Sequence, residues 1–229
     1  MLVAVAVTSA LAADHRGRGA RTSFTPQAGF QGQRWAVVQD AAAAVEVWSA
    51  AGVHGRRLLV ASGRWGKPVP QGGAAPPPAA APGAPADQPV DRAALVSGAL
   101  FEATMRGVAR ELVVVMPTAA FDARIAALRP ARHATLGDGW ARQPYDGIPR
   151  SFHRPATVPR LDEEVLLLVE PSFFAEGAPA DLPAWLEERG LRVDLALIAA
   201  QDPEATPAQV DAAQALAARV GAVGVEVAP

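Results

Sequence analysis

Short apolar runs alternate with amphipathic segments along most of this chain. The runs are predicted to form strands at 58–65, 112–116, 165–169, 193–199 and 223–227. Strands that are apolar throughout are buried on both faces, as they are in a parallel sheet with helices on each side. The alternation of strand and helix favours the same arrangement. The pattern therefore predicts an α/β fold, a three-layer α/β/α domain with a mostly parallel sheet.

The amphipathic segments between the strands carry helix boundary signals. Four residues stand where a side chain can cap a helix start: Asp40, Thr118, Asp181 and Thr206. Thr206 is followed by Pro207 and Gln209, a first-turn proline and a capping-box acceptor. The buried faces of four of these helices are expected to hold Ala44, Val45, Trp48 and Ala51; Leu100, Phe101, Met105 and Val108; Phe121, Ile125 and Leu128; and Val210, Ala213, Ala217 and Val220.

Composition limits the kinds of chemistry that this chain can perform. Its 229 residues suffice for one large α/β domain, and half of them are apolar. The formal net charge of −2 creates no global field that would recruit nucleic acid or an anionic membrane. Cysteine is absent, which excludes disulfides, thiolate zinc sites and a cysteine nucleophile.

Two segments differ in composition from the α/β domain predicted over 35–229. Residues 1–34 begin with the apolar stretch 1–13, which we interpret as a first strand in a cytoplasmic protein. The alternative is a signal peptide and export, although no Lys or Arg precedes the apolar run. Eight prolines in 66–90 predict an extended, mobile linker within the domain. No apolar run approaches the roughly 18 residues that a membrane span needs, so no span is expected.

The order of elements resembles an arginase-like family of the ureohydrolase–deacetylase superfamily. The similarity runs from Trp35 to about residue 221 and includes a helix–Gly–strand–Pro unit over 98–117. It also includes the strand 164–168 followed by Val169-Glu170-Pro171-Ser172-Phe173-Phe174, and a Thr-Pro helix start after the strand 193–199. The resemblance implies an arginase-like fold and, in a working member, a metal-dependent hydrolase acting on amide or guanidino C–N bonds.

The positions that bind metal in that family are occupied here by other residue types. Where the resemblance implies Asp-x-His and a further Asp, this chain has Ser62, Arg64 and Gly66. Where it implies Asp-x-Asp, the chain has Glu170 and Ser172. One carboxylate cannot hold a catalytic metal, so the prediction is that no metal and no cofactor is bound.

A remnant of that site is expected at the carboxyl ends of the strands, where open α/β sheets bind ligands. Its predicted binding residues are Ser62, Arg64, Trp65, Glu170, Ser172 and Phe174. Glu170 and Ser172 are the weak candidates for a catalytic role, and Glu170 could instead form an ion pair with Arg64. The edge should also include residues 117–118 and 200–202.

Other catalytic patterns find little support in the sequence. The four histidines, His15, His54, His133 and His153, do not pair at a metal-ligand spacing. Ser62 and Ser172 lack the Gly-x-Ser-x-Gly elbow of a serine hydrolase, and no Gly-x-Gly-x-x-Gly motif occurs.

Residues 129–160 form an arginine-rich stretch with six arginines and two histidines against two aspartates. Trp140, Tyr145 and Phe152 are interleaved with them. Arginine beside aromatic side chains can bind phosphates or stack on bases, and it can also anchor a protein interface. The favoured interpretation is a long solvated loop, and nucleic acid is not the expected partner because the rest of the chain is acidic.

Together these patterns predict a non-catalytic arginase-like domain that serves as a binding or interaction module for a protein partner or a small ligand of unknown identity. The alternative is a metal-dependent hydrolase whose ligands lie elsewhere in the sequence, and a third interpretation is an exported domain with an unknown partner. Three Asp, Glu or His side chains meeting at the carboxyl edge of the sheet would favour the hydrolase.

Overall fold

The computed structural model describes residues 34–63, 92–128, 134–144, 148–202 and 205–225. The predicted N-terminal strand or signal segment, the linker, and the proposed site residues Arg64 and Trp65 lie outside these residues. The same holds for His15, His133 and Tyr145.

The described residues form an α/β structure. In chain order the elements are β1 (Arg34–Val38), α1 (Ala41–Ala50), β2 (Arg56–Ala61), α2 (Arg92–Met105), β3 (Ala109–Val115), α3 (Thr118–Leu128), β4 (Thr135–Gly137), β5 (Trp140–Arg142), β6 (Arg150–His153), β7 (Glu164–Val169), α4 (Leu182–Glu188), β8 (Arg192–Ala199), α5 (Pro207–Arg219) and β9 (Val223–Gly224). Two 3-10 turns lie at Pro155–Thr157 and Pro171–Phe173.

The strands form one sheet in the order β4-β5-β6-β3-β2-β7-β8-β1-β9. The β4–β5 and β5–β6 pairs are antiparallel, and every other neighbouring pair is parallel. The prediction of an α/β fold with a mostly parallel sheet is therefore confirmed.

Successive residues of the central strands pack against different helices. Leu58 and Val60 belong to a core with the apolar residues of α1, α2 and α3, on what we call the first face of the sheet. Leu59 and Ala61 belong to a core with the apolar residues of α4 and α5, on the second face. This alternation follows from the two-residue period of a strand, and it buries the strand on both faces.

The helix boundaries that capping chemistry predicts are confirmed at three positions. Asp40 Oδ1 accepts a hydrogen bond from Ala43 N at 2.9 Å, and Asp181 Oδ1 accepts one from Ala184 N at 3.1 Å. Thr206 and Gln209 form the expected reciprocal capping box at the start of α5. The fourth residue, Thr118, is itself the first residue of α3.

Some predicted burial is wrong at the helix ends. Met105, expected in the core, is 69% exposed, because α2 ends there and only Val108 beyond it returns to the core. On α5 the buried residues are Ala213 and Leu216, and the C-cap residue Val220 is buried as well. The buried face is therefore rotated toward Leu216, and Val210 and Ala217 lie at its margins. A helix presents only a narrow stripe to a sheet, and its orientation about its own axis depends on the sheet it meets.

The interpretation of 129–160 as a long loop is wrong for its described residues. They contain the hairpin β4–β5, the strand β6 and a 3-10 turn. Gly137 pairs with Trp140 across the two-residue turn Asp138-Gly139, and Gly139 has a φ of +73°. Asp-Gly is the sequence signal for such a turn, but the strands on either side, with three residues each, are too short to show a two-residue alternation of apolar and polar side chains.

Other strand boundaries also differ from the predictions. The strand predicted at 58–65 ends at Ala61. The one predicted at 223–227 ends at Gly224, and residues 226–227 lie outside the described chain. Strand β1 was not predicted, although it pairs in parallel with β8. No helix in the described part of the chain is long and apolar enough to cross a membrane.

The role of Asp40 as a helix cap leads to a stability prediction. Asp40→Ala should lower the free energy of unfolding by about 1 kcal/mol, because the Ala43 N–H loses its acceptor. Asp40→Ser should remain close to the wild type, since a hydroxyl oxygen can accept the same hydrogen bond. Urea denaturation of the three proteins measures the difference. Equal losses in both variants would contradict a capping role.

Candidate functional site

The sheet topology creates a divergence between β2 and β7. These strands are parallel neighbours, with Ala61 opposite Val169 at their carboxyl ends. After β2 the chain leads through α2 on the first face to β3, whereas after β7 it leads through α4 on the second face to β8. In open α/β sheets, ligands bind outside the strand ends at such a switch point.

Ser62 and Glu170 are the first polar residues beyond these two strand ends, and they meet there. Ser62 N donates to Val115 O at 3.0 Å and Glu170 N donates to Ala61 O at 2.9 Å, so both backbones continue the sheet's hydrogen bonding. Ser62 Oγ donates a hydrogen bond to Glu170 Oε2 at 2.5 Å. Ser62 is fully buried and Glu170 is 6% exposed, so this polar pair lies beneath the surface.

The burial of Glu170 changes its titration. Loss of solvation penalises the charged carboxylate and raises the pKa of Glu170 to about 7. The hydrogen bond from Ser62 lowers that pKa, and the nearby negative charge of Asp202 raises it further. At neutral pH the carboxyl is therefore protonated in a substantial fraction of molecules.

Ser172 is held in the 3-10 turn after β7 by three hydrogen bonds. Its Oγ accepts from Gly63 N at 3.3 Å, and its backbone N donates to Asp202 Oδ2 at 3.2 Å. Its backbone O accepts from Gln209 Nε2 at 3.3 Å. The strand ends of β2, β7 and β8 and the start of α5 are thereby joined at one residue.

Gly63 allows this close approach between the segments after β2 and β7. A Cβ atom at Gly63 would lie 2.0 Å from Ser172 O and 2.7 Å from its carbonyl carbon, which are backbone atoms that cannot rotate away. The glycine is therefore required for packing at the switch point.

The remaining predicted residues of the site lie near this pair or outside the described chain. Phe174 is partly buried and packs edge-on against the fully buried Phe173, with ring centroids 5.8 Å apart. Arg64 and Trp65 are outside the described residues, so the Arg64–Glu170 ion pair stays a prediction. The partner of Glu170 that the structure does describe is Ser62.

The donor set at this edge does not fit the two-metal centre that the arginase-like resemblance implies. Among the described residues its carboxylates are Glu170 and Asp202, and nowhere in that part of the chain do three His, Asp or Glu side chains form a metal-binding group. His54 is exposed before β2, at the opposite edge. His153 ends β6, which is separated from β7 by β3 and β2. A two-metal site needs several carboxylates and imidazoles around each ion.

Two contacts at this edge were not predicted from the sequence, and one predicted region does lie there. The region 200–202 was expected at the edge, and Asp202 does contact Ser172. Gln209 was identified only as a capping residue, yet its amide nitrogen also reaches the Ser172 carbonyl. The pairing of Ser62 with Glu170 had no sequence signal, because 108 residues separate them.

Comparisons with known proteins give no match to this chain among family models, curated proteins or solved structures. The arginase-like resemblance is therefore carried by the order and spacing of residues in the sequence alone. The function that it implies stays a prediction.

The contact at Gly63 predicts a large effect of a small substitution. Gly63→Ala should lower the free energy of unfolding by about 2 kcal/mol or more, because the backbone of the Ser172 turn must move. Gly224→Ala is the matched control, since a Cβ atom there meets no atom within 4 Å. Chemical denaturation should show the control within about 0.5 kcal/mol of the wild type. Equal effects of the two substitutions would contradict the close packing.

The titration of Glu170 predicts how stability depends on pH. The folded-state pKa of about 7 lies above the ordinary value of 4.5, so the folded protein holds its proton more tightly than the unfolded chain. Stability is then lost as pH rises from about 4.5 through 7. Glu170→Gln should remove that loss and be more stable than the wild type at pH 8, by up to about 3 kcal/mol, with little difference at pH 4.5.

Denaturation curves of both proteins from pH 4.5 to 8 test this. Glu188→Gln, an exposed change on α4, is the matched control for replacing a carboxylate. A constant difference between wild type and E170Q across that range would show that burial does not perturb Glu170.

Proposed function

We propose that this chain is a non-catalytic binding or interaction module built on an arginase-like α/β/α domain. The observation that carries the proposal is the burial and hydrogen bonding of Glu170, the one acid at a predicted metal-ligand position. Its carboxyl is buried and accepts a hydrogen bond from Ser62, which stands at another predicted ligand position. In this proposal, the hydrogen bond from Ser62 takes the place that a metal bond has in the arginase-like family.

The surrounding contacts support a structural role for the former ligand positions. Ser172, at a third such position, uses its hydroxyl to accept a hydrogen bond from Gly63 N and thereby joins the ends of β2 and β7. Buried polar groups are stable in a protein interior when each finds a hydrogen-bond partner. The serines at these positions therefore supply hydrogen bonds that join the ends of β2 and β7.

One observation favours the alternative, a hydrolase. A carboxyl with a pKa of about 7, hydrogen-bonded to a serine at a switch point, resembles a general base beside a nucleophile. The burial of Ser62 argues against this alternative, because a nucleophile must touch its substrate and Ser62 has no exposed surface. The raised pKa is also the ordinary result of burying a carboxyl.

As a binding module, the domain would present the surface around this edge to its partner. Phe174 and Asp202 are partly exposed there and Gln201 is exposed, so an aromatic ring and polar groups lie side by side. Such a mixture suits a protein partner or a small polar ligand.

Metal binding to the purified protein tests the proposal. We expect no stoichiometric Mn²⁺ or Zn²⁺ and no change of the melting temperature with either ion or with EDTA, because a ligand that binds the native state must stabilise it. At a hundred times its dissociation constant, such a ligand would add about 2.7 kcal/mol.

The outcome that would overturn the proposal is a tight metal whose stabilisation is lost in EDTA and in Glu170→Gln. Amide and guanidino substrates would then be assayed with the metal-loaded wild type and with E170Q. A metal that binds equally to E170Q would lie elsewhere and leave this site non-catalytic.

A further inference from the structure

A cleft of about 410 Å³ lies on the second face of the sheet, and neither Ser62 nor Glu170 lines it. Its floor is formed by β3, β5 and β6, and the segment 157–161 forms one wall. A volume of this size suits a small metabolite. Its lining includes Trp140, Arg142, His153 and Arg160 of the arginine-rich stretch, which the function proposed above does not use.

His153 lines this cleft and has a fixed orientation. Its Nδ1 lies 3.1 Å from Thr157 O, and because a carbonyl can only accept, Nδ1 must carry the proton. Nε2 of the neutral ring is then an acceptor; it is buried, and no described residue donates a hydrogen bond to it. Burial lowers the pKa of His153 to about 4, so the ring stays neutral at physiological pH.

Thr157 holds the parts of the cleft together. Its Oγ1 donates a hydrogen bond to Gly139 O in the β4–β5 turn, while its own carbonyl positions His153. Trp140, the residue that follows the turn, pairs directly with His153 across β5 and β6. The positions of His153 and Trp140 are therefore fixed relative to each other by strand pairing and by the hydrogen bonds of Thr157.

The charges that line the cleft are mainly positive. Arg57 is neutralised by Glu111 at 2.6 Å and by Glu163 at 3.1 Å. Arg142 and Arg160 form no ion pair within the described part of the chain, and the Arg142 guanidinium lies over the Trp140 ring, 5.5 Å from its centroid. Two guanidinium groups that no described carboxylate pairs with favour a bound anion.

We propose that this cleft binds a small organic anion that carries a hydroxyl group beside its carboxylate or phosphate. Arg142 and Arg160 bind the anionic group, and His153 Nε2 accepts the hydrogen bond of the hydroxyl once the lining side chains adjust to admit it. The unpartnered acceptor sets the specificity, since a buried acceptor selects a ligand that brings a donor. This proposal does not rest on the role assigned to Glu170.

Matched pairs of anions test the specificity. Calorimetric titration of the full-length chain would compare glycolate with acetate, L-malate with succinate, and glycerol 3-phosphate with propyl phosphate. In at least one pair we expect the hydroxylated anion to bind at least about tenfold more tightly than its partner, because only the hydroxyl can donate to Nε2. The carboxylate and phosphate pairs distinguish the two sources of the anionic group.

Three variants assign the roles. His153→Asn keeps an N–H that can reach Thr157 O but removes the nitrogen at the Nε2 position, so it should abolish the preference for the hydroxylated anion and leave the affinity of its partner unchanged. Arg142→Gln and Arg160→Gln should each weaken both anions about tenfold. Arg219→Gln, which alters an exposed arginine of α5, should change neither affinity.

Nitrogen NMR gives a readout that a purely structural histidine would not provide. The Nε2 signal of His153, assigned by its loss in H153N, should be that of an unprotonated nitrogen and should shift when the hydroxylated anion is added. The proposal is overturned if no anion binds up to about 10 mM. It is also overturned if both members of every pair bind equally, or if H153N retains the preference.

Discussion

The burial of the central parallel strands on both faces is the constraint from which the rest of this structure follows. Leu58, Leu59 and Val60 of β2 have no exposed surface, and neither do the apolar residues of β7. Every side chain of such a strand must be apolar or have its polar atoms hydrogen-bonded. Each large apolar side chain that is removed from water contributes about 1.5–3 kcal/mol to the free energy of folding. Helices must therefore cover both faces, and polar groups are confined to the strand ends.

That confinement explains why Ser62 and Glu170 interact so closely. Each is the first residue after its strand, so both are drawn toward the core by the hydrogen bonds that continue the sheet. A carboxyl brought to this depth needs a donor, and Ser62 supplies it. At the same depth, burial raises the pKa of Glu170 to about 7. Raised carboxyl pKa values are common in active sites, but here the depth of the strand end is the main cause of the shift.

The two faces of the sheet are covered differently, and the difference creates the second candidate site. Of the described helices, α1, α2 and α3 cover the first face, and α4 and α5 cover part of the second. On the second face the segment after β6 runs beside β3 and β5 and leaves the cleft open. The antiparallel strands β4 and β5 extend the sheet at this end and bring Trp140 and Arg142 beside His153. Arginine and tryptophan near an open cleft form a surface suited to binding, whereas the pair at the β2–β7 junction is sealed inside the protein.

Local patterns in the sequence determined most of the helices and central strands of this protein. A cap such as Asp40 or Thr206 acts within three residues, and a buried strand shows itself as an apolar run, so both can be recognised without the fold. Only the tertiary structure decided that β1 lies between β8 and β9, that Ser62 meets Glu170, and that His153 lines a cleft while no described residue donates to its Nε2. Those features depend on contacts between residues far apart in the chain, and the pairing of strands and the depth of burial that create them arise when the whole sheet assembles.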